Sequence, residues 1–240
     1  MPRATVCLPT YDERENLEAM VGALLARLGP DDRILVIDDN SPDGTGELAD
    51  AIAAREPRVS VLHRPRKDGL GPAYLAGFRH ALAAGAELVL EMDCDFSHDP
   101  DDVQRLIGGA AEADVVLGSR YVRGGRIENW GLLRRFVSRA GSLYAQVLLA
   151  APVRDLTGGF KCYRRTVLET IDLDAVSSRG YAFQIETTYR ALRRGFRVRE
   201  IPITFVDRRE GRSKMSRAIA LEAIWRVPLL AALALLGRLR

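Results

Sequence analysis

The sequence predicts an α/β fold, an α/β/α sandwich around a mostly parallel sheet, on three observations. Strand-like and helix-like segments alternate over the first 120 residues. The strand-like segments are near-continuous apolar runs such as Arg33-Ile-Leu-Val-Ile37, the pattern of strands buried on both faces. Polar clusters follow at least three of these runs, and open α/β sheets bind ligands beyond the carboxyl ends of their strands.

Thr5-Val-Cys-Leu8 is an apolar strand. After Pro9-Thr-Tyr-Asp-Glu13, Leu17, Met20, Val21, Leu24, Leu25 and Leu28 recur at helical spacing. The strand over 33–37 runs into Asp38-Asp39-Asn-Ser-Pro-Asp-Gly44, a turn-forming cluster, and a helix follows over 45–55. A strand over 59–62, a helix over 73–84, a strand over 87–92, a helix over 101–111 and a strand over 114–118 continue the alternation. From 124 the pattern loosens into a Gly/Arg-rich loop, a helix over 133–150, a loop over 152–160, helices over 165–171 and 183–194, a strand over 198–206 and a terminal helix over 216–236. No composition break divides 1–215, which reads as one domain with a ligand half, 1–123, and a second half, 124–215; residues 216–240 form the terminal helix.

With 47% apolar and 28% charged residues the chain can bury a sizeable core, which argues against disorder. Cys7, Cys94 and Cys162 are odd in number and widely spaced, against both a disulfide framework and a zinc site. The start of the chain enters a strand without a leader pattern, so a reducing, cytoplasmic compartment is expected. Net charge +3 is an average: residues 190–240 hold 13 Lys/Arg against 4 Asp/Glu, and residues 1–189 hold 22 against 28. The basic end adjoins the apolar run Val-Pro-Leu-Leu-Ala-Ala-Leu-Ala-Leu-Leu236, about 15 Å as a helix and too short to span a bilayer. Such an end suits an acidic partner, a membrane surface or a nucleic acid.

Glu91-Met-Asp93-Cys-Asp95-Phe-Ser97-His98 places two carboxylates two residues apart beyond a buried strand. Hard oxygen ligands at that spacing can hold Mg²⁺ or Mn²⁺ against a diphosphate, with a capped turn as the plainer alternative. Asp38-Asp39 ends a second strand and can bond a ribose or base edge, or form a solvated turn. Arg66-Lys67-Asp68-Gly69-Leu-Gly71 offers cations and backbone N–H groups to phosphate before a helix. P-loop, dinucleotide and hydrolase-elbow motifs are absent. By themselves Met92 and Cys94 read as packing, His98 as a turn or helix-start residue rather than a ligand, Trp130 and Tyr144 as packing or contacts to an apolar ligand, and the Arg193 to Arg199 arginines as a solvated face, with membrane attraction as the alternative.

Together Leu8-Pro-Thr-Tyr-Asp-Glu13-Arg-Glu-Asn, Val36-Ile-Asp38-Asp39-Asn-Ser-Pro-Asp-Gly44, Gly69-Leu-Gly71, the Asp93-Cys-Asp95 segment and Gly118-Ser-Arg120-Tyr resemble inverting glycosyltransferase family 2, which has the Rossmann-like GT-A fold. Trp130-x-x-x-Arg134, Asp155-Leu-Thr-Gly-Gly-Phe160-Lys-Cys-Tyr-Arg164, Gly180-Tyr-x-Phe-Gln184-Ile-Glu186 and Phe205-Val-Asp-Arg208-x-x-Gly211-x-Ser-Lys214 narrow the resemblance to polyprenol-phosphate (dolichol-phosphate) mannose synthases. The resemblance spans essentially the whole chain, in order. It implies metal-dependent transfer of mannose from GDP-mannose to a polyprenyl monophosphate with inversion, by a peripheral enzyme on the cytoplasmic face of a membrane. It carries Pro9, Tyr11, Glu13, Ile37 and Asp38 onto the nucleoside pocket, and Lys67, Asp68 and Gly69 onto the diphosphate loop. Asp93, Asp95 and Ser97 fall on the metal site, with Cys94 between them in the donor-binding segment, and some relatives have Gln in place of Ser97. Arg120, Arg134, Arg208 and Lys214 match basic residues that gather phosphates, and Asp95, Arg120 and Arg134 are the expected catalytic set.

A phosphate monoester is largely ionised at neutral pH, so the acceptor needs no strong base. Asp155 is then an organiser of the acceptor loop rather than a base. Lysine occurs three times against 32 arginines, and Lys67 and Lys214 both fall in phosphate segments. The terminal helix is expected to lie on the membrane as an amphipathic anchor, aided by a membrane-protein partner, or else to cover the sheet. Two rival readings are a polyprenyl-phosphate transferase for glucose or an aminosugar, and a nucleic-acid-binding module. The second leaves the acidic loops unexplained and has no aromatic platform, so no nucleic-acid partner is expected.

Overall fold

A computed structural model of the chain describes residues 3–207 and 217–239, with backbone alone at 217–221 and 223. Seven strands form one sheet in the order β3-β2-β1-β4-β7-β5-β8, where β1 is Ala4–Thr10, β2 Arg33–Asp38, β3 Val59–His63, β4 Leu88–Glu91, β5 Val115–Ser119, β7 Lys161–Arg164 and β8 Val198–Pro202. β1 pairs in parallel with β2 and β4, β2 with β3, and β5 with β8. β7 runs antiparallel to both β4 and β5. β6 (Arg126–Glu128) and β9 (Thr204–Val206) form a separate parallel pair.

The alternation of side chains along each strand supplies two cores. Val6 and Leu8 of β1 with Ile34 and Val36 of β2 face α1 (Arg14–Leu25), α2 (Thr45–Arg55) and α4 (Val103–Gly109), meeting Leu17, Met20 and Leu106. Cys7, Leu35 and Ile37 face the opposite layer of α3 (Leu70–Ala83), α6 (Arg165–Thr170) and α7 (Tyr181–Arg193), where Tyr74, Phe78, Tyr163 and Phe183 pack ring against ring. A third cluster joins Leu117, Ala145, Leu149, Ile185, Val227 and Leu230, tying α5 (Leu132–Leu149) and α8 (Arg217–Leu235) to the β5 side. The three cysteines are buried and form no disulfide.

The predicted helices and the first five strands are present, with ends moved by a few residues. Three parts differ. Residues 161–164, to which the sequence assigns no element, are β7, a short strand in which cations replace the usual apolar alternation. The expected helix over 101–111 begins as a 3-10 turn, Pro100–Asp102, in which the Asp101 N–H is capped by Asp99 Oδ1 at 2.9 Å. The expected strand over 198–206 divides at Ile203. Proline cannot donate to a ladder, and past Pro202 the Ile203 N–H bonds the Ser119 carbonyl at 3.1 Å while its own carbonyl accepts from Arg126, which starts the β6–β9 pair.

Because β1, β2, β4 and β5 are parallel, their carboxyl ends open on one edge of the sheet, and β7, being reversed, starts on that same edge. Register sets Glu91 of β4 opposite Lys161 of β7, and Lys161 opposite Leu117 of β5. The loops after β1, β2, β4 and β5 are thereby gathered above the sheet.

Candidate active site

Two groups of loops meet on this edge. On the β1–β3 side, Asp38 at the end of β2 is buried and accepts hydrogen bonds from the Ser41 hydroxyl at 2.5 Å and the Ser41 N–H at 3.2 Å. Asp39 lies 2.5 Å from Arg64; burial raises its pKa, and Arg64 offsets part of that rise. Glu13 is buried, accepts from Asn16 at 2.9 Å, and its N–H donates to the Thr45 hydroxyl at 3.0 Å. Lys67 Nζ sits 3.7 Å above the Tyr11 ring, bringing together two residues from separate sequence segments. Asp68 pairs with Arg66 at 3.0 Å.

Gly69 has φ +103 and starts α3, a conformation that favours glycine. Gly71 lets the 178–180 loop approach: its N–H donates to the Arg179 carbonyl at 2.8 Å, and a Cβ there would collide with the Ser178 carbonyl. Ile37 does not reach the strand-end edge, since it is fully buried against α3 in the core. Cys94 is likewise packed in the opposite core.

On the β4–β5 side a single cavity collects Asp93, Asp95, Ser97, Arg120, Arg134 and Trp130. Asp93 and Asp95 follow β4 directly. The Tyr74 hydroxyl donates to Asp93 Oδ1 at 3.4 Å, and the Ser97 hydroxyl and N–H both donate to Asp95 Oδ1, at 2.5 and 3.0 Å. Ser97 therefore supports Asp95 directly in this structure. His98 is not an exposed turn residue. It is buried, stacks on Phe160 at 4.9 Å, meets Phe205 edge-on, and accepts from the Asp93 N–H at 3.4 Å through Nδ1. Burial lowers its pKa to about 4, so at neutral pH the ring is uncharged and able to accept that bond.

Arg120 follows β5 and is only 8% exposed. Its Nε and Nη2 bond the two oxygens of fully buried Asp155 at 2.7 and 2.6 Å, its N–H adds a third bond at 2.9 Å, and Nη2 reaches Thr157 at 2.9 Å. Burial alone would raise the Asp155 pKa, but the guanidinium and these bonds hold it below its ordinary value. Arg134, on α5, bonds Asp207 at 2.9 and 3.0 Å and lies 4.1 Å from the Trp130 ring. Trp130 Nε1 is buried without a hydrogen-bond partner among the described residues. A buried donor left unpaired is costly, so this N–H is suited to an oxygen of a bound molecule.

Beneath the cavity lies a group that sequence reading missed. Lys161 is completely buried, with Nζ 3.2 Å from Glu91 Oε1, 2.5 Å from Gln184 Oε1 and 3.0 Å from the Gln184 carbonyl. Tyr163 donates to Glu91 at 3.3 Å, and Gln184 Nε2 to its other oxygen at 3.3 Å. Burial pushes the pKa of Glu91 up and that of Lys161 down, and their mutual attraction opposes both shifts. Asp207 and Thr157 were also missed as partners of the two arginines, although both lie in segments the sequence had singled out. Arg208 and Lys214 lie outside the described residues.

The donor set fits a hard divalent cation: two carboxylates two residues apart, with hydroxyl support, beyond the end of a strand, and guanidiniums lining the same cavity to balance phosphate. Among the described residues no three His, Cys, Asp or Glu side chains cluster as a complete protein-only metal cage. A ligand's own oxygens would have to complete the coordination, as is usual for magnesium.

The model of "Glycosyl transferase family 2" matches residues 5–172. The chain is 48% identical over 222 residues, 92% of its length, to an undecaprenyl-phosphate mannosyltransferase of Micrococcus luteus, covering 91% of that protein. It is 49% identical over 227 residues to a polyprenol monophosphomannose synthase of Mycolicibacterium smegmatis, across 94% of this chain and 85% of that one. Among solved structures, glucosyl-3-phosphoglycerate synthase from Mycobacterium tuberculosis, in complex with Mn²⁺, UDP-glucose and phosphoglyceric acid, superposes with a TM-score of 0.72 over 96% of this chain and 80% of that one at 17% identity, a likeness of fold. The chain belongs to glycosyl transferase family 2, is a glycosyltransferase of GT-A architecture, and resembles the polyprenol-phosphate mannose synthases within that family.

Proposed function

We propose that the chain transfers mannose from GDP-mannose to a polyprenyl monophosphate with inversion at the anomeric carbon, giving polyprenyl-phosphate mannose and GDP. The observation that carries this reading is that Asp93, Asp95, Arg120 and Arg134 line one cavity. The carboxylates suit a cation on a diphosphate, and the guanidiniums suit a second, attacking phosphate. The two relatives, an undecaprenyl-phosphate mannosyltransferase and a polyprenol monophosphomannose synthase, support the acceptor and the sugar.

Asp93 and Asp95, with Ser97 as the third candidate, would hold Mg²⁺ or Mn²⁺, which when bound supplies charge stabilisation for departing GDP. Arg134 orients the acceptor phosphate, and the unpaired Trp130 N–H can add a donor to one of its oxygens. Arg120 reaches the cavity with most of its donors already spent on Asp155, so it contributes a fixed positive field. No proton has to be removed from an ionised phosphate, and buried Asp155, bonded through both oxygens, is an organiser. On the donor side, Pro9, Tyr11, Glu13 and Asp38 bind the nucleoside, and Lys67, Asp68 and Gly69 the diphosphate.

We assign residues 1–123 chiefly to the donor and 124–215 to the acceptor, with the chain attached from the cytoplasmic face as a peripheral protein beside a membrane-protein partner. No helix among the described residues is long and apolar enough to cross a membrane. The test is incubation with labelled GDP-mannose, UDP-glucose or a UDP-aminosugar, detergent-solubilised polyprenyl phosphate, and Mg²⁺ or chelator. Label in lipid from GDP-mannose, lost on chelation, is expected. Labelling from another donor would reassign the sugar, and no label from any donor would remove the reading.

A further inference from the structure

A helix at a protein surface ordinarily turns its apolar face inward. α5 buries only Ala145 and Leu149 among its apolar residues and turns its other large ones outward. The inward side carries Arg134, Ser138, which accepts from Tyr121 at 2.7 Å, and Ser142, which meets Thr157 at 2.9 Å. The outward side carries Leu132, Phe136, Leu143 and Val147, spaced one or two helical turns apart and exposed by 84%, 71%, 56% and 70%. α8 lies alongside, with the Tyr144 hydroxyl bonded to the Ile224 carbonyl at 3.0 Å, and adds exposed Trp225 and Leu229. The face extends along α5 for roughly 27 Å.

The charge around this face selects its occupant. Residues 129–154 contain four arginines and no Asp or Glu. Two of them, Arg139 and Arg154, line a shallow depression with Leu143 and Gln146 at the edge of the apolar stripe. Neither guanidinium pairs with a carboxylate among the described residues: Arg139 lies 5.1 Å from the Tyr121 ring, and Glu200 is engaged by the backbone N–H of Arg154. A second copy related by a two-fold axis would set this basic strip against itself. A bilayer offers acyl chains to the leucines and phenylalanine, and phosphates to the arginines at the headgroup level.

We propose that the outer face of α5, with the adjoining edge of α8, docks on an anionic phospholipid bilayer, and that Arg139 and Arg154 take lipid phosphate in the depression between them. This deepens the peripheral-membrane reading above and rests on it. Docked so, α5 has lipid on one side and the catalytic cavity on the other, and a prenyl phosphate meets Arg134 without its chain leaving the bilayer.

The test uses the full chain and sedimentation with vesicles of phosphatidylcholine alone or mixed with phosphatidylglycerol. The pair Phe136→Asp with Val147→Asp should lose binding to both kinds of vesicle by about tenfold or more. The pair Arg139→Gln with Arg154→Gln should lose mainly the added affinity for phosphatidylglycerol, again by about tenfold. All four sites are outside the catalytic cavity, so sugar transfer to detergent-solubilised acceptor should stay within about twofold of the parent, which also certifies folding. Unchanged vesicle binding by either pair, or no vesicle binding by the parent, overturns the docking face while leaving transfer to solubilised acceptor intact. A parent that is dimeric in solution and becomes monomeric in the aspartate pair assigns the face to a second copy and overturns it too. Failure of the reaction reading is recognised separately, by a parent that labels no solubilised acceptor.

Discussion

The two sides of the site hold their cations differently. On the β1–β3 side, Lys67 rests on the Tyr11 ring, exposed, and Asp38 and Asp39 are satisfied by a serine and by Arg64. On the β4–β7 side, Arg120 and Lys161 are buried in direct contact with Asp155 and Glu91. A cation on an exposed ring can be moved to a ligand at small cost, whereas a buried ion pair is fixed because either partner alone would be a stranded charge. Lys67 is thus placed to adapt to a ligand that comes and goes, beside the fixed Arg64 and Asp39 pair, whereas Arg120 and Lys161 present charge in a set geometry before any ligand arrives.

The sharpest way to break this contrast is to strand one of the fixed charges. Asp155→Ala should cost about 3–5 kcal/mol of folding stability, measured by urea unfolding, because it leaves the Arg120 guanidinium buried without its partner. Lys161→Met should cost a similar amount, and pairing it with Glu91→Leu should recover a large part, since the loss comes from the unpaired charge. The Asp155 pair also sets a pH dependence. Its folded pKa lies below its ordinary value, so its stabilisation is fully present above the unfolded value near 3.9 and is lost as pH falls through the folded value. Asp155→Asn should therefore flatten part of the acid limb of a stability–pH curve. Equal losses from charge removal at Lys67 would erase the distinction between the sides.

Next in size is the metal position. Asp95→Ala should lower sugar transfer by about 100- to 1,000-fold, the scale of removing one transition-state-stabilising group, with retained thermal unfolding. If turnover and its response to chelator both persisted, Asp95 would not hold the cation. Arg134 stands between the two regimes, being half-exposed, bonded to Asp207 and stacked on Trp130. Arg134→Ala should raise the KM for the lipid acceptor by about 10- to 100-fold and leave GDP binding nearly unchanged. Matched losses in both would make it a structural residue.

The adaptable side was far more legible in the sequence than the fixed one. Apolar runs ending in Asp38-Asp39 and Asp93-Cys-Asp95 announce parallel strands and strand-end loops, because burial on both faces demands continuous apolar residues and solvent at the tips permits acids. β7 was not legible. Lys161-Cys-Tyr-Arg164 has neither alternation nor apolar continuity, and lysine is almost never fully buried, so nothing local indicates a strand at the centre of a sheet. Its one signal is Glu91, an acid inside an otherwise apolar strand, which requires a buried cation somewhere in the chain. Ile37 shows the converse: it belongs to a motif that ends in the site, yet strand alternation turns it into the core one residue before Asp38. The helix of α5 was legible, but its orientation was not, since periodicity gives an apolar stripe and not the direction in which it points.

The smallest effect tests the adaptable side directly, through the contact between Lys67 and Tyr11. Their 3.7 Å approach is exposed, and such cation–π contacts contribute about 0.5–1 kcal/mol. Tyr11→Ala and Lys67→Ala, alone and together, form a cycle whose coupling in folding stability should not exceed that amount. The same cycle read on nucleotide-sugar KM should behave differently. If Lys67 leaves the ring for a diphosphate oxygen, Lys67→Ala raises the KM several-fold, while Tyr11→Ala removes the resting place of the ammonium along with whatever the ring gives the nucleoside. Coupling in KM that is opposite in sign to the coupling in stability would show the ring and the ligand competing for one cation. Coupling of the same sign and size in both would mean that Lys67 stays on Tyr11 throughout, and that this side is as fixed as the Arg120 and Asp155 pair across the cavity.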